Sequence, residues 1–236
     1  MDNTRYSIYR VGDQAITFSI GDLVDLQHHQ RLLAMKAWIE EHRFEGILDV
    51  FVAYNSLTLV YDLFQLSALT PSKPFDFLTS YLEKAHDASE NILQATKPVV
   101  RIPVCYDKTF GLDLEDLSKE SKIAIDEIIH LHQAKTYHVF MIGFLPGFAY
   151  MAEVDSRIAF SRRPSPRTQV PAGSVGIAGI QTGIYPIDSP GGWQIIGRTP
   201  IPLFNPKDDP PVFLHPGDQV QLFAITLSEY KSFTKE

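Results

Sequence analysis

The chain has 236 residues, 44% apolar and 21% charged, which supports one large domain or two small ones and excludes a chain that stays unfolded. A formal net charge of -7 gives no general attraction for nucleic acid or an anionic membrane, so any bound anion is drawn by a local cluster. A single cysteine, Cys105, excludes an intramolecular disulfide and fits a reducing cytoplasm.

The opening MDNTRYSIYR lacks the apolar run of a signal peptide, and no window reaches the roughly 18 consecutive apolar residues of a membrane span. Of the 16 prolines 14 lie at or after Pro98, as do 11 of the 14 glycines. Turn-formers at this density break helices and favour short strands. Two domains are therefore expected, residues 1–97 and 98–236, in an α+β chain.

In the first domain Tyr6 to Val11 and Ala15 to Ile20 read as strands around a Gly12-Asp13 turn. A helix is expected over about residues 23–42, with Leu26, Leu33 and Ala37 at helical spacing and Gly46 near its stop. Ile47 to Ala53 and Leu57 to Tyr61 form a second hairpin around Asn55-Ser56. A helix follows from about Phe75 to Ser89, with Leu78, Tyr81, Leu82 and Ala85 on one face. The order ββαββα predicts a small sheet with helices on one side.

The second domain opens with the strand-like run Val99 to Tyr106. Helical patches follow at Leu114 to Lys119 and Ile125 to Ala134. Thereafter the text is short strands and turns: VFMIGF, GSVGIAGIQTGIYP, WQIIGRTP and PGDQVQLFAI. Many short strands at close spacing predict a closed or partly closed β-barrel.

Several segments carry candidate chemistry. GFLPGFAYM (Gly143 to Met151) reads as a rigid loop that presents its backbone and two aromatic rings; its bland alternative is a turn plugging a barrel end. Residues 156–198 contain five arginines (Arg157, Arg162, Arg163, Arg167, Arg198), no lysine and one acid, Asp188. Such a cluster suits a carboxylate or phosphate, or else a surface loop paired with acids elsewhere. Gly192 to Thr199 reads G-x-x-x-x-G-R-T, close to a phosphate-binding loop. Arg198 replaces the lysine, however, and Pro200 and Pro202 oppose the required helix, leaving a glycine-rich turn.

His130 and His132 are two apart on a helix and face different ways, which is poor metal geometry; no zinc motif occurs. Ser174 lacks the first glycine of a nucleophile elbow. Cys105 has no adjacent base to activate it and reads as structural.

Taken in order, FGLDLEDLS, the helix holding His132 with Tyr137 beyond it, GFLPGFAYM, RRPSPRTQVPAGSVGIAGIQTGIYP, SPGGWQIIGRTP and a late PGD resemble the family of the 5-oxoprolinase B subunit. That family is also called allophanate-hydrolase subunit 1 and includes the sporulation-kinase inhibitor KipI. The resemblance covers about residues 99–225 and is looser before residue 97. Met151 stands where the family pattern has leucine, and Ala152-Glu153 lacks an expected glycine.

The resemblance implies a cyclophilin-like β-barrel, pairing with two partners (the larger, barrel-containing C subunit of 5-oxoprolinase, together with its A subunit), and ATP-dependent opening of 5-oxo-L-proline to L-glutamate. ATP and its Mg2+ would be held here or on a partner. Phosphorylating the lactam carbonyl would make it a better electrophile and calls for positive groups near developing phosphate charge. The resemblance assigns His132, Tyr137 and Arg167 to catalysis and Arg163 and Arg198 to anion binding. Gly143, Phe144, Pro146, Gly147, Phe148 and Tyr150 form a pocket wall. Gly173, Ser174, Gln181, Thr182, Gly191, Gly192 and Trp193 form its rim. A KipI-like inhibitor gripping a histidine kinase is the alternative function, a prolyl isomerase a remote third, and a lone copy is a candidate homodimer.

Overall fold

The computed structural model describes residues 6–21, 24–70, 73–90 and 98–233. The chain divides into two compact units, Met1–Thr96 and Lys97–Glu236. No helix among the described residues is long and apolar enough to cross a membrane.

In the first unit, strands β1 (Tyr6–Val11), β2 (Ala15–Ile20), β3 (Ile47–Ala53) and β4 (Ser56–Tyr61) form an antiparallel sheet in the order β1-β2-β4-β3. Alternation along β2 and β4 sends Ile16, Phe18, Ile20, Leu57, Leu59 and Tyr61 to one face. Helices α1 (Leu26–Glu41) and α3 (Pro74–Ser89) complete the core from that side with Leu32, Met35, Ile39, Leu78, Leu82 and Ala85. Full burial of such a side chain contributes about 1.5–3 kcal/mol.

The structure departs from expectation in four places here. The buried stripe of α1 is Leu32, Met35 and Ile39; of the residues expected at helical spacing Leu33 packs partly buried against this core, while Leu26 and Ala37 are exposed. The helix starts at Leu26, where the Asp25 carboxylate caps it by accepting the His28 N–H at 2.9 Å; Leu23, the expected start, lies outside the described residues. Gly46, with φ +102°, is not the helix stop; it turns the chain into β3, and its carbonyl accepts Asp62 N–H at 2.8 Å. A further helix, α2 (Leu63–Leu69), follows β4 directly, capped by Asp62, which accepts from Phe64 and Gln65 N–H.

The second unit is a closed barrel of seven strands in the order β10-β7-β6-β13-β5-β12-β9. Its members are β5 (Val100–Cys105), β6 (Thr136–Ile142), β7 (Ala149–Ala152), β9 (Ser174–Ala178), β10 (Gln181–Ile184), β12 (Gln194–Arg198) and β13 (Gln219–Ile225). Strand β8 (Arg167–Val170) pairs with β11 (Ser189–Gly191) as a separate ribbon. Helices α4 (Leu114–Ser121), α5 (Ile125–Gln133) and α6 (Leu227–Phe233) and a short 3-10 turn (Ser156–Ile158) complete the unit.

Inward residues of the barrel strands, among them Ile102, Val104, Val139, Ile177, Ile184, Ile196, Val220 and Leu222, meet Leu117, Ile128 and Leu131 of α4 and α5 in one core. The anticipated barrel is thus present and closed. Strand β7 of the barrel and the β8–β11 ribbon outside it lie inside segments that read as loops or turns.

Candidate functional site

Asp113, just before α4, is 2% exposed and accepts four hydrogen bonds. Arg167 Nη2 and Arg163 Nη1 donate to Oδ1 at 2.6 and 2.7 Å, and Arg167 Nη1 and the Ile195 N–H donate to Oδ2 at 2.9 and 2.6 Å. Its own N–H donates to the Ile195 carbonyl at 2.9 Å, and Arg163 N–H donates to the Gly192 carbonyl at 2.8 Å. The aspartate therefore ties the arginine segment to β12 of the barrel. Fork-shaped, charge-assisted pairing of this kind is the strongest class of side-chain hydrogen bond.

The arginines divide accordingly. Arg163 and Arg167 are engaged by Asp113, and Arg157 by Asp155 and Glu127. The paired-loop alternative describes these three, although Arg163 and Arg167 keep side-chain exposures of 34% and 21%. Arg198 donates through Nε to the Ala172 carbonyl at 2.7 Å and lies 5.7 Å from the Phe110 ring centroid. Arg162 is exposed, 6.0 Å from the centroid of Trp193. Asp188 accepts from Ala172 N–H and Gln169, and these bonds hold its carboxyl below the usual range.

An aromatic cluster adjoins this network. Phe148, 1% exposed, meets Tyr150, Tyr185 and Trp193 edge-on at 4.8, 5.2 and 5.3 Å between centroids, and Phe144 at 5.6 Å. The loop leading to it is fixed by Gly147, whose φ of +82° and a would-be Cβ 2.9 Å from the Leu203 carbonyl oxygen leave no room for a side chain. Pro146 and Phe144 are exposed. Leu203 and Phe204 also line a groove of about 250 Å3, with Pro202, Pro210, Phe213 and His215 along it.

At Gly191 a Cβ would overlap the Tyr185 hydroxyl, whereas at Gly192 it would rest 3.6 Å from Pro166. Gly173, at φ +81°, sits against the Thr199 carbonyl, and its N–H donates to the Tyr185 carbonyl at 2.7 Å. Ser174 is 3% exposed and stands opposite Arg198 in the β9–β12 ladder. Gln181 opens β10 opposite Ala178 and Ala152.

His132 and Tyr137 are both 0% exposed. The Tyr137 hydroxyl donates to the His132 carbonyl at 2.7 Å. The imidazole is held at both nitrogens, Nδ1 at 2.8 Å from the Tyr106 hydroxyl and Nε2 at 2.8 Å from Thr182 Oγ1. Because Thr182 spends its own proton on the Gly176 carbonyl at 3.1 Å, it accepts from Nε2–H, and Tyr106 donates to Nδ1. A neutral ring results, its pKa lowered to about 3 by burial.

The structure therefore distributes the expected residues over three places. Phe144, Phe148, Tyr150 and Trp193 gather with Arg162. Arg163 and Arg167 gather on Asp113, with Gly191 and Gly192 beside them. His132, Tyr137 and Thr182 lie in the barrel core, where they support the fold rather than face solvent. Of the expected rim, Ser174, Thr182 and Trp193 are buried, and of the expected wall Phe148 is. Sequence reasoning misses Asp113, Tyr106 and Tyr185; Asp113 stands within FGLDLEDLS, but nothing in that run distinguishes it from Glu115 and Asp116.

Comparison with known proteins adds to this geometry. The family model described as "Carboxyltransferase domain, subdomain C and D" matches residues 6–214. The 5-oxoprolinase B subunit of Bacillus subtilis (strain 168) is 39% identical over 235 residues, spanning 98% of this chain and 98% of that protein. Its counterpart of the same name in Haemophilus influenzae is 35% identical over 218 residues, spanning 92% and 97%. The crystal structure of TTHA0988 superposes with a TM-score of 0.77 at 33% identity over 90% of this chain, which spans 40% of that longer one. With the motif order, the closed barrel and these end-to-end matches in agreement, the chain belongs to the carboxyltransferase domain, subdomain C and D family, in the group of the 5-oxoprolinase B subunits.

Proposed function

We propose that this chain is the B subunit of an ATP-dependent 5-oxoprolinase, working with the A and C subunits to open 5-oxo-L-proline to L-glutamate. The observation that carries the reading is the 39% identity, over 98% of both chains, with a 5-oxoprolinase B subunit. The Asp113 network supports it by fixing the partly exposed guanidinium edges of Arg163 and Arg167, a preorganised positive surface suited to a substrate carboxylate.

Among the described residues the glycine-rich turn before β12 does not support a phosphate-binding loop in this chain. Gly192 to Thr199 runs into strand β12, which pairs with β9 rather than opening a helix. In this reading ATP and its Mg2+ are held by a partner protein, and this chain contributes binding and orientation.

The test is to purify the chain with the products of the neighbouring genes and to measure ATP hydrolysis with and without 5-oxo-L-proline. Substrate-stimulated hydrolysis by the assembled subunits is the expected result. A complex that ignores 5-oxo-L-proline but turns over another amide would change the substrate. Absence of any complex, with stoichiometric inhibition of a histidine kinase, would replace the enzyme reading with the regulatory one.

A further inference from the structure

Every acceptor position on Asp113 is taken. Oδ1 receives Arg163 Nη1 and Arg167 Nη2, and Oδ2 receives Arg167 Nη1 and the Ile195 N–H, which fills the roughly four sites that a carboxylate offers. The two arginines are not equally spent. Arg167 commits both of its Nη atoms to Asp113. Arg163 commits Nη1 alone; its Nε is buried and unpartnered among the described residues, and no hydrogen bond from those residues engages Nη2. With 34% of its side chain exposed against 21% for Arg167, Arg163 is the guanidinium that keeps a terminal NH2 group to offer.

The charge is as informative as the donors. Two guanidiniums that share one carboxylate keep one net positive charge, since arginine does not deprotonate. The other charges of the segment are directed elsewhere. Arg162 lies 6.0 Å from the Trp193 centroid, Asp188 is spent on Ala172 N–H and Gln169, and Arg157 on Asp155 and Glu127. The pair is also fixed in place, because Arg163 N–H is tied to the Gly192 carbonyl at 2.8 Å and Asp113 N–H to the Ile195 carbonyl at 2.9 Å. At that anchor Gly192 has room beside it: a Cβ there would come no closer than 3.6 Å to Pro166.

We propose that Asp113, Arg163 and Arg167 form a receptor for the single carboxylate of a monoanionic substrate. Arg163 makes the contact through Nη2, Arg167 is its brace, and Asp113 is the positioning residue that also sets the charge selectivity. Because Asp113 has no acceptor capacity left, a ligand must bring its own acceptor. A ligand carboxylate completes a set of two guanidiniums and two carboxylates with no net charge, whereas a dianion leaves an excess. Holding the fork in advance spares the cost of ordering it on binding. The proposal rests on the 5-oxoprolinase reading and narrows it, since the carboxylate is then that of 5-oxo-L-proline.

The experiment uses the chain assembled with its partner subunits and compares ATP hydrolysis driven by 5-oxo-L-proline with that driven by its uncharged carboxamide. In Arg163→Gln the preference for the acid, as a ratio of kcat/KM values, is expected to fall about ten- to a hundredfold, with the loss in KM for the acid. Arg163→Lys should recover part of it, and Arg157→Gln, outside the receptor, should leave the ratio as in wild type. Asp113→Asn removes the shared negative charge, so inorganic sulfate is expected to compete with 5-oxo-L-proline about tenfold more strongly than in wild type. An unchanged acid preference in Arg163→Gln overturns the proposal, and so does its collapse in Arg167→Gln alone, which would exchange receptor and brace. Equal sulfate inhibition of wild type and Asp113→Asn refutes the charge selectivity; the Arg163 comparison decides by itself if Asp113→Asn does not assemble. A wild-type complex indifferent to 5-oxo-L-proline defeats the enzyme reading instead, a result separate from that of any variant.

Discussion

Asp113 and Arg167 form a two-point pair, Nη2 to Oδ1 at 2.6 Å and Nη1 to Oδ2 at 2.9 Å, in which the acid is almost wholly shielded from water and the base is not. Removing either partner therefore has unequal effects. Asp113→Asn leaves two guanidinium groups facing each other without a counter-charge. It is expected to destabilise the second unit by about 2–3 kcal/mol, below the usual loss for a broken buried pair because both arginines reach solvent. Arg167→Ala leaves Asp113 with Arg163 and the Ile195 N–H and should cost less. Denaturant melts of the two variants give the order, and a larger loss for Arg167→Ala would refute the hub role of Asp113.

Gly191 and Gly192 are adjacent but unlike. Gly191→Ala drives a methyl group into the Tyr185 hydroxyl and is expected to destabilise by about 1–3 kcal/mol. Gly192→Ala meets only Pro166 at an ordinary distance and should lie within about 0.5 kcal/mol of wild type. Equal melting temperatures for the two variants would contradict the packing described.

His132 has a folded-state pKa of about 3, below its ordinary value, because burial disfavours the charged ring. As pH falls below about 6.5 the unfolded chain takes up a proton that the folded chain refuses, so stability declines by about 1.4 kcal/mol per pH unit until the folded pKa is reached. His132→Gln should be less stable at neutral pH yet show a shallower decline between pH values of about 6.5 and 3. Parallel profiles for variant and wild type would mean that the ring is accessible to protons in the folded state.

The Cys105 thiol is buried, and burial raises its pKa. Thiolate is the reactive form. An aromatic disulfide reagent should therefore label native protein negligibly over minutes and label denatured protein stoichiometrically. Rapid native labelling would show that this part of β5 opens locally.

Much of the fold is legible in the sequence because it rests on periodicity. Ile16, Phe18 and Ile20 alternate, and Leu78, Tyr81, Leu82 and Ala85 recur at helical spacing. Short strands punctuated by glycine announce a barrel. Capping is less visible: Asp25 and Asp62 set helix starts through a few local hydrogen bonds that no apolar pattern records. The site is half legible. Motif order picks out the arginines and the aromatic loop, but pairing across distant segments, Asp113 to Arg163 and Arg167 or His132 to Thr182, exists only once the chain has closed. A residue's type says that it can donate or accept; its burial decides whether it is free to do so for a ligand.

Closure of the barrel has a consequence for biosynthesis. Strand β5 lies parallel to β13, with Val100 beside Val220 and Cys105 beside Ile225, so the first barrel strand made by the ribosome waits for the last. Until then β5 and β6 each carry an open edge, the condition under which nascent strands pair with wrong neighbours. The first unit has no such dependence, since its sheet is built from two local hairpins joined through β2 and β4. It can mature while the barrel is still being translated, and chaperone demand should fall on the second unit.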